Sequence, residues 1–170
     1  MHRQIISPCT ILRVQTWDSK AMAPTVIEDL LERSRPRTTG AVESGCAEMI
    51  CVGPADWLVI AAEADATKWL DRFASAFDGR AFRASDVSDA LARFEITGSD
   101  VRDLLAKGCS LDLHSPLFPA GRSARTRFAG MPVIVRSIDT YRFELIVEQS
   151  YVDYLRAWLA DAELEFQTPA

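Results

Sequence analysis

At 170 residues, with 48% hydrophobic and 25% charged side chains, the chain has the composition of an ordinary soluble globular protein, as one domain or as two small lobes. A chain of this length buries about 70% of its unfolded surface, so it needs no disulfide or metal to hold it together. Its net charge of −5 and pI near 5.1 argue against general nucleic-acid binding, which depends on neutralising phosphates.

The four cysteines (Cys9, Cys46, Cys51, Cys109) include no Cys-x-x-Cys pair, and the two histidines are His2 and His114. A zinc site therefore has little to work with. The N-terminus MHRQIISPCTILRV lacks a long apolar run, and no apolar stretch is long enough to span a membrane. The expected location is the cytoplasm, with reduced cysteines. Only Lys20, Lys68 and Lys107 are lysines among the nineteen basic residues. Arginine suits bidentate carboxylate contacts and interfaces, and GC-rich coding gives the same excess.

In chain order, residues 10–17, TILRVQTW, alternate and are rich in β-formers, which predicts a strand. A short helix is expected over Thr25–Arg33, followed by a polar loop, SRPRTTGAVESG. AEMICVG and DWLVIAA, split by Gly53-Pro54-Ala55, predict a hairpin. Asp65–Phe77 spaces Trp69, Leu70, Phe73 and Phe77 as a helix, with Gly79 as a stop signal. AFRASDVS predicts another strand.

The second half repeats the order. ALARFEITG predicts a strand, Ser99 an N-cap, Val101, Leu104 and Leu105 a helical face, and Gly108 its close. After a long Pro-containing connection, GMPVIVRS and TYRFELIVE predict a hairpin around Ile138-Asp139-Thr140. A helix is expected over Ser150–Ala162, with Tyr151, Tyr154, Leu155, Trp158 and Leu159 on one side and EFQ as a last edge strand. Each half spells β-α-β-β-α-β, the ferredoxin-like arrangement. The expected fold class is α+β with mainly antiparallel sheets. The expected organisation is a single domain over 1–170 made of two pseudo-repeated lobes, about 8–88 and 89–168.

Three segments carry a family resemblance: Val52–Ile60 (VGPADWLVI), Asp86–Leu113 (DVSDALARFEITG leading into KGCSLDLH), and Ser150–Ala162 (SYVDYLRAWLADA), with Phe118-Pro119-Ala120-Gly121-Arg122 beside them. The pattern resembles the folate-binding domain of aminomethyltransferases, the T-protein of glycine cleavage. Within that superfamily it is similar to the gamma subunit of heterotetrameric sarcosine oxidases. The resemblance implies alpha, beta and delta subunits as partners. It also implies FAD, FMN, NAD, tetrahydrofolate and zinc in those partner subunits, with none in this chain. The complex would demethylate sarcosine, or a related N-methyl amine, oxidatively and pass the carbon to tetrahydrofolate. This chain would be a scaffold without catalytic, cofactor or metal residues. A stand-alone folate-binding one-carbon transferase is the alternative, and a module assisting RNA modification or an iron–sulfur system is a third.

The residues themselves offer few reactive groupings. There is no Gly-x-Gly-x-x-Gly and no Walker-type loop. Cys109 is a potential nucleophile or a buried structural thiol; a preceding helix C-terminus would raise its pKa, and Lys107 would act the other way. The Lys-Gly-Cys triplet resembles that of the iron–sulfur-maintenance relatives, but Ser110-Leu111-Asp112 follows instead of Gly-Gln-Glu. His114 with Asp112 makes a base–orienter pair or a local hydrogen-bonded turn. The resemblance to T-proteins, where a similarly placed Asp-Val-Ser segment neighbours the folate cleft, implies that site for Asp86 and Asp89; their residue types equally suit a turn between strands. Arg122, Arg125 and Arg127 would hold carboxylates of a folate tail or of a partner subunit, or form a solvated face. The candidate partner interface is therefore Lys107, Cys109, Asp112, His114, Arg122, Arg125 and Arg127.

Overall fold

The alternating runs become strands, and the aromatic-rich stretches become helices laid on them. The computed structural model describes residues 2–6, 9–17, 42–44, 47–62 and 65–166. The helix expected over Thr25–Arg33 lies outside the described residues. The strands are β1 (His2–Ile5), β2 (Thr10–Thr16), β3 (Val42–Ser44), β4 (Glu48–Gly53), β5 (Asp56–Ala61), β6 (Phe82–Asp86), β7 (Leu91–Thr97), β8 (Ser123–Phe128), β9 (Met131–Asp139) and β10 (Arg142–Glu148). The helices are α1 (Ala66–Ala76), α2 (Val101–Ala106) and α3 (Val152–Ala162). The chain divides into two compact units, Ser7–Asp89 and a second formed by Met1–Ile6 with Ala90–Ala170.

In the unit Ser7–Asp89 the sheet order is β3-β4-β5-β2-β6, and every neighbouring pair is antiparallel. Period-2 alternation puts Leu12, Val14, Met49, Trp57 and Val59 on one face. Trp69 and Phe73 of α1, with Phe77 just beyond, pack against that face. Their rings continue without a gap into β6, with centroids 6.3 Å apart for Trp69–Phe73, 6.4 Å for Phe73–Phe77 and 5.0 Å for Phe77–Phe82. Residues four apart stack along one helix face, which is why the sequence spacing works. Asp65 caps α1, accepting from Lys68 N at 3.3 Å.

On the other face, Arg13 and Asp56 form a paired contact, with Nε–Oδ1 at 3.0 Å and Nη2–Oδ2 at 2.6 Å. The hydrogen bond to Asp56 raises the Arg13 pKa above its ordinary value, against a smaller desolvation effect. That contribution is complete at every pH below the ordinary arginine range. It is lost only as pH rises through the still higher folded value.

In the second unit the order is β1-β7-β10-β9-β8, again antiparallel throughout. Phe94, Ile96, Val133, Val135, Phe143, Leu145 and Val147 face the helices, and Leu104, Leu105, Leu155 and Leu159 pack onto them. The two sheets have corresponding strand orders. In one, the edge beside β2 is filled by β6, which follows α1; in the other, the edge beside β7 is filled by β1, from the N-terminus. Glu165 and Phe166, expected with Gln167 as an edge strand, lie in a 3-10 turn over Glu163–Phe166, and Gln167 lies outside the described residues. The sheet place that strand would have taken is already occupied by β1.

Other differences are local. The polar stretch expected as a loop ends in β3, which pairs Val42–Ser44 with β4. The long connection contains β8, and the β9–β10 turn falls at Thr140-Tyr141, because β9 runs on to Asp139. Helix α2 begins after Asp100 and not after Ser99, whose Oγ donates to Asp100 Oδ2 at 2.9 Å. Tyr154, expected on the same side of the last helix as Leu155 and Leu159, which are buried, is 52% exposed, and its hydroxyl donates to Ala129 O at 3.2 Å.

Candidate functional site

The candidate residues run from the end of α2, through the 107–122 connection, into edge strand β8. The structure separates them into groups with different occupations. Lys107 turns back onto its own unit. Its Nζ donates to Ala162 O at 3.0 Å, pairs with Glu165 Oε1 at 2.9 Å, and lies 5.6 Å from the Phe166 ring centroid. A cation there satisfies a carbonyl of the last turn of α3 and complements the negative end of its dipole.

Cys109 is buried, with Sγ 3.9 Å from Thr126 Oγ1. Its backbone forms an isolated bridge with Phe128. A thiol in that setting is a small packing residue. Gly108 beside it does not adopt positive φ, so it is not the left-handed helix cap that its position predicts. A Cβ there would sit 2.8 Å from Trp158 Cη2 and 3.0 Å from Phe128 Cε2 and Cζ. The glycine makes room for an aromatic pair, Phe128 and Trp158, packed edge-on with centroids 4.7 Å apart.

Asp112 Oδ1 accepts from the backbone N of His114 at 2.8 Å. This is the local turn, and His114 itself is exposed. Asp86 behaves alike: its Oδ1 accepts from Ser88 N at 2.9 Å and from Ser88 Oγ at 2.5 Å. Ser88 Oγ in turn accepts from Ile11 N at 2.9 Å. These carboxylates hold turns closed, as short polar side chains do.

Arg122, Arg125 and Arg127 are exposed. Arg125 and Arg127 alternate along β8 on one face of the sheet, across from Ile134 and Pro132. Arg127 donates to Gly130 O from Nε at 3.3 Å and from Nη2 at 2.9 Å. β8 and β9 are joined by Ala129 and Gly130, both at positive φ (48° and 85°), as a two-residue turn of the I′ type requires.

Sequence reasoning missed two residues that organise this region. Arg102 on α2 donates from Nη1 to Leu113 O and, at 3.4 Å, to Phe118 O, with its guanidinium carbon 4.8 Å from the Phe143 ring centroid. Leu113 and Phe118 are both buried, so the connection is pinned at two points. Glu144 is 1% exposed, with Arg93 on one oxygen and Arg136 Nη1 on the other at 2.6 Å. A glutamate inside RFELIVE, buried on both faces of its strand, was the available signal: such a charge must be paired. Nothing in the local sequence marks Arg102.

Among the described residues, no three His, Cys, Asp or Glu side chains converge as metal ligands would.

Known proteins share this architecture. The family described as sarcosine oxidase, gamma subunit family, matches residues 18–165. Sarcosine oxidase subunit gamma from an Arthrobacter species is 27% identical over 137 residues, covering 79% of this chain and 66% of that protein. The chain thus spans just under two thirds of that relative's length. Among solved structures, a chain of the heterotetrameric sarcosine oxidase from Corynebacterium sp. U-96, in complex with pyrrole 2-carboxylate, superposes with a TM-score of 0.89. The identity is 20%, over 99% of this chain and 86% of that one. The glycine cleavage system aminomethyltransferase T from Bartonella henselae superposes with a TM-score of 0.65 at 9% identity, over 92% of this chain and 44% of that one. These two structural likenesses establish the fold that the sequence resemblance implied.

Proposed function

This chain belongs to the sarcosine oxidase gamma subunit family, and on that premise we propose that it is a structural subunit of a heterotetrameric sarcosine oxidase. In this reading it scaffolds larger chains that oxidatively demethylate sarcosine, or a related N-methyl amine, and hand the carbon to tetrahydrofolate. The alpha, beta and delta chains carry FAD, FMN, NAD, the folate site and zinc. The observation that carries the reading is how the candidate polar groups are used. Asp86 and Asp112 close turns, Lys107 closes a helix, and Cys109 is packed in the core. Among the described residues, these candidate groups do not meet as the nucleophile, base and orienter that a catalytic constellation requires. The exposed arginines face outward instead.

The test is co-expression of the tagged chain with the larger oxidase chains and a small cysteine-rich chain. The expected product is a flavin-coloured assembly of four polypeptides that forms hydrogen peroxide from sarcosine, with the isolated chain colourless and inactive. An active single chain, or a tagged chain that never enters the assembly, overturns the proposal. Submillimolar tetrahydrofolate binding by the lone chain would replace it with the one-carbon transferase reading.

A further inference from the structure

Corresponding edges of the two sheets are closed in different ways. In the unit Ser7–Asp89 the strand beside β2 is β6, which follows α1. Phe82 and Ala84 of β6 pack against the core cluster of that unit, and the Phe82 ring centroid lies 5.0 Å from that of Phe77. In the second unit the strand beside β7 is β1, with the sequence HRQI. No residue of β1 belongs to the core cluster of its unit, and its one aliphatic side chain, Ile5, is 44% exposed.

Polar contacts hold β1 instead. Gln4 Nε2 donates to Glu95 Oε1 at 2.9 Å, and Thr97 Oγ1 donates to His2 O at 3.3 Å. Arg3 Nη1 donates to Arg156 O at 3.1 Å, and Arg3 Nε lies 3.5 Å from Glu163 Oε2. The three hydrogen bonds are exposed, so water replaces them at small cost. The other oxygen of Glu163 is buried and has no hydrogen-bond partner, so the carboxylate that meets Arg3 is only half satisfied with β1 in place.

The backbone ladder separates the two sides of β7. Ile6 N donates to Arg93 O at 2.9 Å, so the pairs Gln4–Glu95 and His2–Thr97 also exchange hydrogen bonds in the antiparallel register. On the other side Gly98 N donates to Tyr141 O at 3.0 Å, so the bonded pairs there are Ile96–Phe143 and Phe94–Leu145. The amides of Glu95 and Thr97 thus point to β1, and those of Phe94 and Ile96 point to β10.

We propose that β1 is a strap that opens by itself, with β7-β10-β9-β8 and the helices of the second unit still folded. Opening breaks the β1–β7 ladder and the contacts of Arg3 and Gln4, lets water reach the backbone of Glu95 and Thr97, and takes no side chain out of the core cluster. Segments with few buried apolar contacts are the ones that open locally. β6 does not open this way, because Phe82 would leave its ring contact with Phe77. The proposal is independent of the gamma-subunit reading.

Hydrogen exchange resolved at single amides of the full chain tests the strap, because β7 carries its own reference. Glu95 and Thr97 are expected to exchange about a hundredfold or more faster than Phe94 and Ile96, at rates that low urea leaves unchanged, as an opening that exposes little surface does. On β2, the amides of Arg13 and Gln15 bond β6, and those of Leu12 and Val14 bond β5; no such split is expected there. Gln4→Pro removes the N–H that bonds Glu95 O. It is expected to leave Glu95 and Thr97 nearly unprotected, with the protection of Phe94 and Ile96 and the melting midpoint near wild type. Equal protection along β7, or loss of all these β7 amides together in Gln4→Pro, makes β1 an integral strand and overturns the strap. The same split on β2 overturns it too, because the effect would then belong to any sheet edge.

Discussion

Gly108 and Trp158 touch so closely that a Cβ on the glycine would lie 2.8 Å from the indole Cη2. The indole is held in turn by Phe128, so it cannot yield without disturbing a ring buried in the core. Gly108→Ala is expected to destabilise the chain by about 1–3 kcal/mol, the usual cost of overpacking. Urea denaturation measures this as a lower midpoint at unchanged slope. Gly121, at positive φ with nothing near its Cβ position, is the contrast: there alanine costs through backbone strain alone. A Gly108→Ala midpoint equal to wild type would show that the Trp158–Phe128 pair shifts freely.

Lys107 closes α3 across the chain, and its two partners differ in weight. Ala162 O is a helix-end carbonyl, whereas Glu165 is largely exposed. Lys107→Met keeps the stem and removes the charge, and is expected to cost about 1 kcal/mol through the lost charged hydrogen bond and dipole contact. Glu165→Gln is expected to cost under about 0.5 kcal/mol, since exposed ion pairs are weak. The two thermal melts side by side check the order. Equal costs would mean that the ion pair, and not the helix end, is what Lys107 serves.

The strands most legible in sequence are largely those with a buried face, although the edge strand β6, with no fully buried residue, was also legible from AFRASDVS. TILRVQT, EMICVG, DWLVIA and RFELIVE announced β2, β4, β5 and β10 because apolar β-formers recur in them. The strands that escaped notice, β1, β3 and β8, are edges. An edge strand has fewer neighbours to pack against, so its pattern is weaker, and charged residues are common on it. HRQI and SARTRF illustrate this. The β8–β9 turn was hidden as well, because Ala129-Gly130 stands where Asn-Gly would have announced a hairpin. At the candidate site, the turn roles of Asp86 and Asp112 were among the two readings the sequence allowed. The holding role of Arg102 was not, because its acceptors are backbone carbonyls at Leu113 and Phe118, which local composition does not encode.

The Ala129 backbone gives the third prediction. Its φ of 48° places a Cβ in the left-handed region, which costs a non-glycine residue about 1 kcal/mol. Ala129→Asn, tolerant of that region and common at this turn position, is expected to stabilise by about 0.5–1 kcal/mol. Tyr154 bonds to the backbone carbonyl of residue 129, so the substitution leaves that contact intact. A raised thermal midpoint checks it; a lowered one would show that the methyl group packs productively with the core cluster it borders.

Glu144 gives the last. It sits on β10 with Arg136 directly opposite on β9, and its second oxygen is held by Arg93. Side-chain exposure is 1% for Glu144 and 3% for Arg136. Removing one member of such a group leaves the other charges buried without their counter-charge, at a cost of about 3–5 kcal/mol. Replacing both members of a pair by apolar residues of similar size avoids that penalty. Glu144→Gln is thus expected to lower the urea midpoint severely, and Glu144→Leu combined with Arg136→Met to recover a large part of the loss. The recovery identifies uncompensated charge as the cause. If the double variant is as unstable as Glu144→Gln, the cluster acts through shape and hydrogen-bond geometry, with Arg93 the remaining charge that apolar replacement fails to accommodate.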